Sequence, residues 1–311
     1  MAKILITDTM HESIVSMLET IGYQVDYNPT ITREQIISGL SEYTGIMVRS
    51  KTYIDKEVID AGSNLKFIAR SGAGLDLIDI EHTQKKNIAL LNAPEGNRDA
   101  VAEHTVAMIL NLLNYIRRSD YQVRHKIWDR EGNRGHELMH RTVGLIGFGN
   151  MGTATAKRLS GFGCRIIVYD KYKSGFGTDQ VEEVSLDKLK SEADIISFHV
   201  PLTEETRHYL DNSFLDDVKN NFILINTSRG EVASLNTIIQ GLSSGKITSA
   251  GLDVMEIEKF KKLTAEQDGI LDQLFDFDQV IFTPHVAGWT TESYIKINET
   301  LVNKIKALNL A

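Results

Sequence analysis

Reactive side chains follow directly on strand-like runs at several points in this 311-residue sequence. "VGLIGFGNMG" (143–152) places Gly147, Gly149 and Gly152 in G-x-G-x-x-G spacing. The first glycine permits a tight turn, the second lets backbone approach a pyrophosphate, and the third lets a helix pack on its strand. Amides near Asn150 and Met151, at the start of the next helical run, would face phosphates. "RIIVYD" then puts Asp170 eighteen residues past Gly152. An acid there accepts hydrogen bonds from an adenosine ribose and repels a 2′-phosphate, so NAD is expected rather than NADP. Lys171 and Lys173 temper that preference.

In open α/β sheets ligands bind beyond the carboxyl ends of strands. Those positions carry "HVPLTEET", Arg229 in "INTSRGEV", Asp253 in "AGLDVMEIE" and His285 in "TPHVAGWT". Such residue types suit reduction of a 2-keto acid. Arg229 can hold a carboxylate through paired donors and polarise the carbonyl. His285 can protonate the carbonyl oxygen as hydride arrives, and take a proton in the reverse direction. A carboxylate on its other ring nitrogen would fix the tautomer, and Glu258 is the candidate. Taken singly, a strand-end arginine often caps a helix, and most histidines only pack. Their shared edge is what favours chemistry.

The elements needed to position these residues are legible as alternating β-rich and helical runs, the pattern of parallel-sheet α/β domains. "KILIT", "YQVDY", "GIMV", "LKFIA" and "IALLN" predict five strands of a first doubly wound domain. "TVGLIG", "RIIVYD", "DIISFHV", "FILINT", "SAGLDV" and "QVIFTP" predict six strands of a second. "NRDAVAEHTVAMILNLLNYIRRS" reads as one long bridging helix, capped by Asn97 or Asp99 and ending near Arg117 and Arg118. The last helix, "TTESYIKINETLVNKIKALNL", is expected to pack back onto the first domain.

Composition narrows the function classes. Hydrophobic residues make up 42% and charged residues 24%, and the formal charge is −8, which argues against a nucleic-acid or anionic-membrane binder. The single cysteine, Cys164, excludes an intrachain disulfide, and no apolar run is long enough to span a bilayer. "MAKILITD" does not read as a signal peptide, so a cytoplasmic location is expected. His82, His104 and His199 show no close metal-ligand pairing, and no metal is expected.

With "NAPEGNRDAVAEHTVAMIL", "FHVPLTEET" and the runs above in one order, the sequence resembles the D-isomer-specific 2-hydroxyacid dehydrogenases over nearly its whole length. The resemblance implies a flavodoxin-like substrate domain (1–98 plus 287–311) with a Rossmann NAD-binding domain (99–286) inserted into it. It implies a catalytic set of Arg229, Glu258 and His285. Asp253 would meet the nicotinamide carboxamide, and Val200, Pro201, Thr206 and Thr227 would lie along the cofactor. It also implies a homodimer built through the NAD domains. "EIEKF" lacks the proline that often follows the family's acid, and more residues than usual precede His285, so Glu256 stands as a rival to Glu258.

The first domain should select the substrate, a small 2-hydroxy or 2-keto acid. "ARSGAGLDLID" resembles the family's loop that offers backbone amides to the substrate carboxylate, here from Ala73 and Gly74. Arg49 and Arg70 end neighbouring strands and suggest a second anion, since guanidinium forks suit phosphate. Pairing of these arginines with acids such as Asp76 is the bland alternative. Both match the 3-phosphoglycerate dehydrogenase branch, as does "HKIWDREGNRG" with Arg130 and Arg134, which would reach a neighbouring subunit's substrate. With its end at Ala311 the sequence reads as a short form without the branch's regulatory domain. The rivals are a glyoxylate or hydroxypyruvate reductase and, in another class, an NAD(H)-sensing interaction protein. Trp289 would wall the active site or anchor the last helix.

Overall fold

The computed structural model describes residues 1–310 and divides into two compact units. The first joins Met1–Arg98 to the segment from Trp289 onward, and the second is Asp99–Gly288. In the first, β1 (Lys3–Ile6), β2 (Gln24–Tyr27), β3 (Gly45–Val48), β4 (Phe67–Arg70) and β5 (Ala89–Asn92) pair in the order β2-β1-β3-β4-β5, all parallel. That is the flavodoxin-like order. Side chains along a strand alternate between two apolar layers: Ile4 and Ile6 enter one cluster and Leu5 the other. Burial on both faces is why β1, β3 and β4 carry short apolar runs, while the edge strand β2 is largely exposed.

The last helix, Thr291–Lys306, opens with a capping box between Thr290 and Ser293. It seats Ile297, Leu301, Val302 and Ile305 in the cluster that holds Ile4, Ile6 and Ile14. A Cβ at Gly96 would fall 2.7 Å from the Ile297 Cα, so glycine permits this close approach. Lys304 adds an ion pair to Glu95 at 2.9 Å.

The second unit contains β6 (Thr142–Ile146), β7 (Arg165–Tyr169), β8 (Glu182–Glu183), β9 (Ile195–Phe198), β10 (Phe222–Asn226), β11 (Ile247–Leu252) and β12 (Val280–Phe282). Their order is β12-β11-β10-β9-β6-β7-β8, again all parallel. This is the Rossmann order extended by one edge strand, and it reverses between β6 and β9. Among the described residues no helix is long and apolar enough to cross a membrane.

Two elements depart from the sequence reading. The sheet has seven strands rather than six, because β8 is a two-residue edge strand of acids with no apolar run to betray it. Arg165 holds Glu182 at 2.7 Å across that edge. The bridging helix is broken. It runs Pro94–Leu113, then Tyr115 turns left-handed at φ 50°, and a second helix spans Ile116–Arg124. The first starts at Pro94, whose missing amide costs nothing in a first turn, so Asn97 and Asp99 lie inside it and cap nothing. Asp99 instead meets Arg158 at 2.8 Å. The break arises where Asn111 accepts the Arg117 amide and Asn114 donates to the Leu110 carbonyl, local bonds that compete with the helix ladder. Arg117 and Arg118 therefore open the second helix rather than close the first.

His199, just past β9, is 8% exposed, and its Nε2 lies 3.0 Å from Ser197 Oγ. Burial pushes its imidazole down to about 4. The unfolded chain takes that proton near pH 6.5 and the folded chain only near pH 4, so acid favours unfolding between the two. His199→Asn should remove this contribution, which reaches about 3 kcal/mol at the acid end. The check is the denaturation midpoint from pH 7 to pH 4.5, which should fall more steeply for wild type than for the variant.

Candidate active site

The glycine turn leaves β6 at Gly147, whose φ of +99° is costly for any residue with a Cβ. A Cβ there would also sit 2.6 Å from the His199 carbonyl oxygen, at the end of the neighbouring strand. At Gly152 a Cβ would lie 2.1 Å from the Gly147 carbonyl oxygen, so helix Asn150–Leu159 packs directly on the turn. Gly149 differs: nothing lies within 4 Å of its absent side chain, and it begins that helix with no side-chain cap. Open space in front of uncapped first-turn amides is what a pyrophosphate requires. Asp170, at the tip of β7, accepts amides of Phe148 at 2.7 Å and of Tyr172 and Lys173 at 2.9 and 3.0 Å. Lys173 donates to the Phe148 carbonyl at 2.7 Å, and Lys171 pairs with Glu205, so both lysines are engaged within this unit.

Further along the same strand ends, Thr206 Oγ1 closes the loop after β9 on itself. It donates to the Pro201 carbonyl at 2.6 Å and accepts the Thr203 amide at 2.8 Å, which shapes the backbone at Val200 and Pro201. Thr227 is nearly buried, its hydroxyl 3.0 Å from that of Thr105. Arg229 stands three residues beyond β10 on a turn organised by Asn226. The Asn226 amide donates to the Arg229 carbonyl at 2.9 Å, while its carbonyl oxygen accepts from both the amide and the hydroxyl of Ser228. Arg229 Nη1 donates to the Ser228 carbonyl at 2.7 Å.

Asp253, past β11, is 2% exposed. Its carboxylate accepts the Thr283 hydroxyl at 2.5 Å and the amides of Val286 and Ala287, each at 2.9 Å. Its carbonyl accepts the His285 amide at 2.8 Å. These bonds hold His285 at φ +56°, a conformation that costs a non-glycine residue about 1 kcal/mol or more and needs such support. His285 Nδ1 lies 3.1 Å from Glu258 Oε2. Glu256, the rival acid, is directed elsewhere: 2.7 Å from His208 Nε2, with its second oxygen on the Leu235 amide at 2.6 Å. Glu258 and His285 are 42% and 48% exposed in their side chains. Such a pair adds little stability, and its use lies in orienting the ring.

In the first unit Arg70 ends β4 opposite Val48, Arg49 follows Val48 directly, and Arg70 Nε donates to the Arg49 carbonyl at 3.2 Å. The Arg49 guanidinium lies 3.7 Å above the Trp289 ring and is half-buried, a cation–π contact of roughly 0.5–2 kcal/mol. Trp289 in turn packs on Tyr294 of the last helix. Within its own unit it therefore anchors to the last helix and also faces Arg49. The Arg70 guanidinium overlies Gly72, where a Cβ would fall 1.8 Å from Nη1. No backbone carbonyl takes the amides of Ala73 or Gly74 among the described residues. Arg134 pairs with Glu131 at 2.5 Å on the surface.

Residues 106–287 match the family described as D-isomer specific 2-hydroxyacid dehydrogenase, NAD binding domain. The chain belongs to this family. Its members are NAD-dependent oxidoreductases acting on the CH–OH group of 2-hydroxy acids. Hydroxypyruvate reductase of Thermotoga maritima is 38% identical over 276 residues, which cover 88% of each chain. D-3-phosphoglycerate dehydrogenase of Archaeoglobus fulgidus is 32% identical over 312 residues, 98% of this chain but only 58% of that relative. Among solved structures, a D-lactate dehydrogenase from Aquifex aeolicus complexed with NAD and lactic acid aligns with a TM-score of 0.85 at 28% identity, covering 99% of this chain and 95% of that one. NAD suits the turn observed here, where Gly149 leaves the space and the helix leaves its first amides uncapped.

Residue types at strand ends singled out Arg229, Asp253 and His285 as candidates. They did not point to Asn226, Ser228, Thr283 or His104, whose Nε2 is 3.0 Å from Thr283 Oγ1. The only sequence trace of Asn226 is a polar residue ending an otherwise apolar strand.

The glycines should separate in their variants. Gly149→Val should keep the thermal midpoint near wild type yet weaken NADH binding at least tenfold, by fluorescence titration. Gly152→Ala, which drives a Cβ into backbone, should lower the midpoint by several degrees. A Gly149→Val protein that binds NADH normally would exclude the pyrophosphate from this turn.

Proposed function

We propose that the protein is a D-3-phosphoglycerate dehydrogenase, interconverting 3-phosphoglycerate and 3-phosphohydroxypyruvate with NAD at the entry to serine synthesis. The observation that carries this reading is the pair of arginines at adjacent strand ends, Arg49 set on Trp289 and Arg70 bonded to the Arg49 backbone. Two guanidinium groups so placed suit a substrate with a phosphate beyond its carboxylate. The 38% identity to a hydroxypyruvate reductase over most of both chains favours a second reading, reduction of hydroxypyruvate or glyoxylate.

In this reading the first unit, 1–98 with the segment from Trp289 onward, binds substrate and the second, 99–288, binds NAD, a boundary two residues later than the 286/287 expected from sequence. Arg229 grips the carboxylate and polarises the carbonyl, and amides of Ala73 and Gly74 assist on the carboxylate. Bound NADH supplies the hydride to the carbonyl carbon. His285, its Nδ1 held by Glu258, gives a proton from Nε2 to the carbonyl oxygen, and accepts one when the alcohol is oxidised. Asp170 takes the adenosine ribose, while Asp253, Thr206, Thr227, Val200 and Pro201 line the cofactor. Arg130 and Arg134 serve the substrate of a second subunit. The protein works in the cytoplasm as a homodimer. Exposed apolar side chains clustered in sequence support the dimer: Ile116, Tyr121, Val123 and Ile127 are roughly half exposed and Trp128 is 79% exposed.

NADH oxidation should be fastest with 3-phosphohydroxypyruvate when it is compared with hydroxypyruvate, glyoxylate and pyruvate at matched concentrations. Arg49→Ala and Arg70→Ala should raise KM for the phosphorylated acid tenfold or more and leave the others within about threefold. Faster turnover of the small acids would select the reductase reading, and tight NADH binding without any turnover would point to a sensor. In sedimentation velocity, Trp128→Asp should convert a dimer to monomer. A wild-type protein that sediments as a monomer contradicts the assembly.

A further inference from the structure

Glu256 occupies a junction that the catalytic reading leaves unused. Met255 and Ile257 on either side of it pack against the apolar core of the second unit, and Glu256 between them does not. Its side chain, 24% exposed, reaches His208 with one oxygen at 2.7 Å and the Leu235 amide with the other at 2.6 Å. His208 lies two residues past Thr206, at the end of the loop after β9, in a left-handed conformation at φ 52°. Its amide donates to the Glu231 carbonyl at 2.7 Å, and the Leu210 amide donates to the Val232 carbonyl at 3.0 Å, so that loop is laced to the turn after Arg229. Leu235 begins the helix that follows the same turn. The turn also touches the acid-bearing segment directly. A Cβ at Gly230, next to Arg229, would fall 2.0 Å from the Met255 carbonyl carbon and 2.6 Å from the Glu256 nitrogen. Glu258 follows two residues later on an exposed stretch with no helix or strand of its own.

We infer that Glu256 is a positioning residue, which ties the Arg229 turn and the loop after β9 to the segment that presents Glu258 to His285. The inference rests on the Glu258–His285 reading above. A carboxylate with two anchored oxygens fixes backbone more firmly than an exposed loop fixes itself, and small misplacement of an acid–base pair slows turnover sharply. His208, only half-exposed, completes the anchor from the loop side. Because Glu256 acts through Glu258, its loss should appear in kcat and vanish when Glu258 is already gone.

The test measures kcat and KM with the fastest of the keto acids named above, for Glu256→Ala, Glu256→Gln, His208→Ala, Glu258→Gln and the double variant Glu256→Ala/Glu258→Gln. Glu256→Ala should lower kcat about tenfold with KM for NADH within twofold, and Gln, which keeps one acceptor oxygen, should restore part of it. In the Glu258→Gln background the same alanine should cost less than twofold. Equal losses in both backgrounds, a loss confined to KM for NADH, or wild-type kcat in Glu256→Ala would each overturn the role. If Glu256→Ala does not fold, His208→Ala decides, with a drop of about threefold in kcat expected and no change contradicting it. A Glu258→Gln enzyme as fast as wild type would instead sink the catalytic pair itself, a result separable from any outcome at Glu256.

Discussion

A carboxylate shut away from water is costly unless its oxygens find donors, and at Asp253 the donors come from the stretch that carries His285. Amides of Val286 and Ala287 and the Thr283 hydroxyl all converge on it, while its own carbonyl takes the His285 amide. The end of β11 and the end of β12 are thereby locked into one piece. Only within such a lock does His285 keep its left-handed backbone, and only from that backbone does its ring meet Glu258. His104 reaches the same cluster from helix Pro94–Leu113 through Thr283. Removing Asp253 would therefore disturb the imidazole even if it never touched a ligand.

The other reactive groups of this dehydrogenase are held by a similar economy of means. Asp170, Arg229 and His285 each stand one to three residues beyond a parallel strand, where the sheet supplies rigidity and the loop supplies reach. Asn226 shapes the Arg229 turn with three hydrogen bonds, and Gly230 lets that turn rest on the backbone of Met255 and Glu256. The glycine turn after β6 follows the same logic, with two glycines excluded from carrying a side chain by neighbouring backbone and a third standing in open space. In the first unit the Arg49 fork is steadied by the Trp289 face and by the Thr9 carbonyl, with the buried Asp8 carboxylate close by.

The central strands of both sheets were legible because strands buried on two faces must be apolar, and amphipathic helices must separate them. β8 escaped for the opposite reason: a two-residue edge strand of glutamates carries no apolar signal and exists only because β7 offers it a partner. The break at Tyr115 escaped because helix propensity along "NLLNYIRRS" is ordinary, while the bonds of Asn111 and Asn114 that end the first helix depend on its geometry. Among the candidate residues, Arg229, His285 and the glycines were singled out by type and spacing. Glu258 was preferred there with Glu256 kept as a rival, since both acids lie on one irregular segment two residues apart.

Sequence by itself determined the alternation of strand and helix, the glycine turn, the acid at the tip of β7 and the membership of the chain in its family. These depend on local rules: apolar period, backbone freedom at glycine, and residue order along the chain. Tertiary structure alone decided which acid faces His285, which one braces the segment instead, and that Trp289 lies beneath Arg49. Each of those outcomes depends on side chains far apart in sequence arriving within about 3–4 Å, at distances where hydrogen bonds and cation–π contacts act. No local pattern encodes such meetings, because the sheet order brings them about.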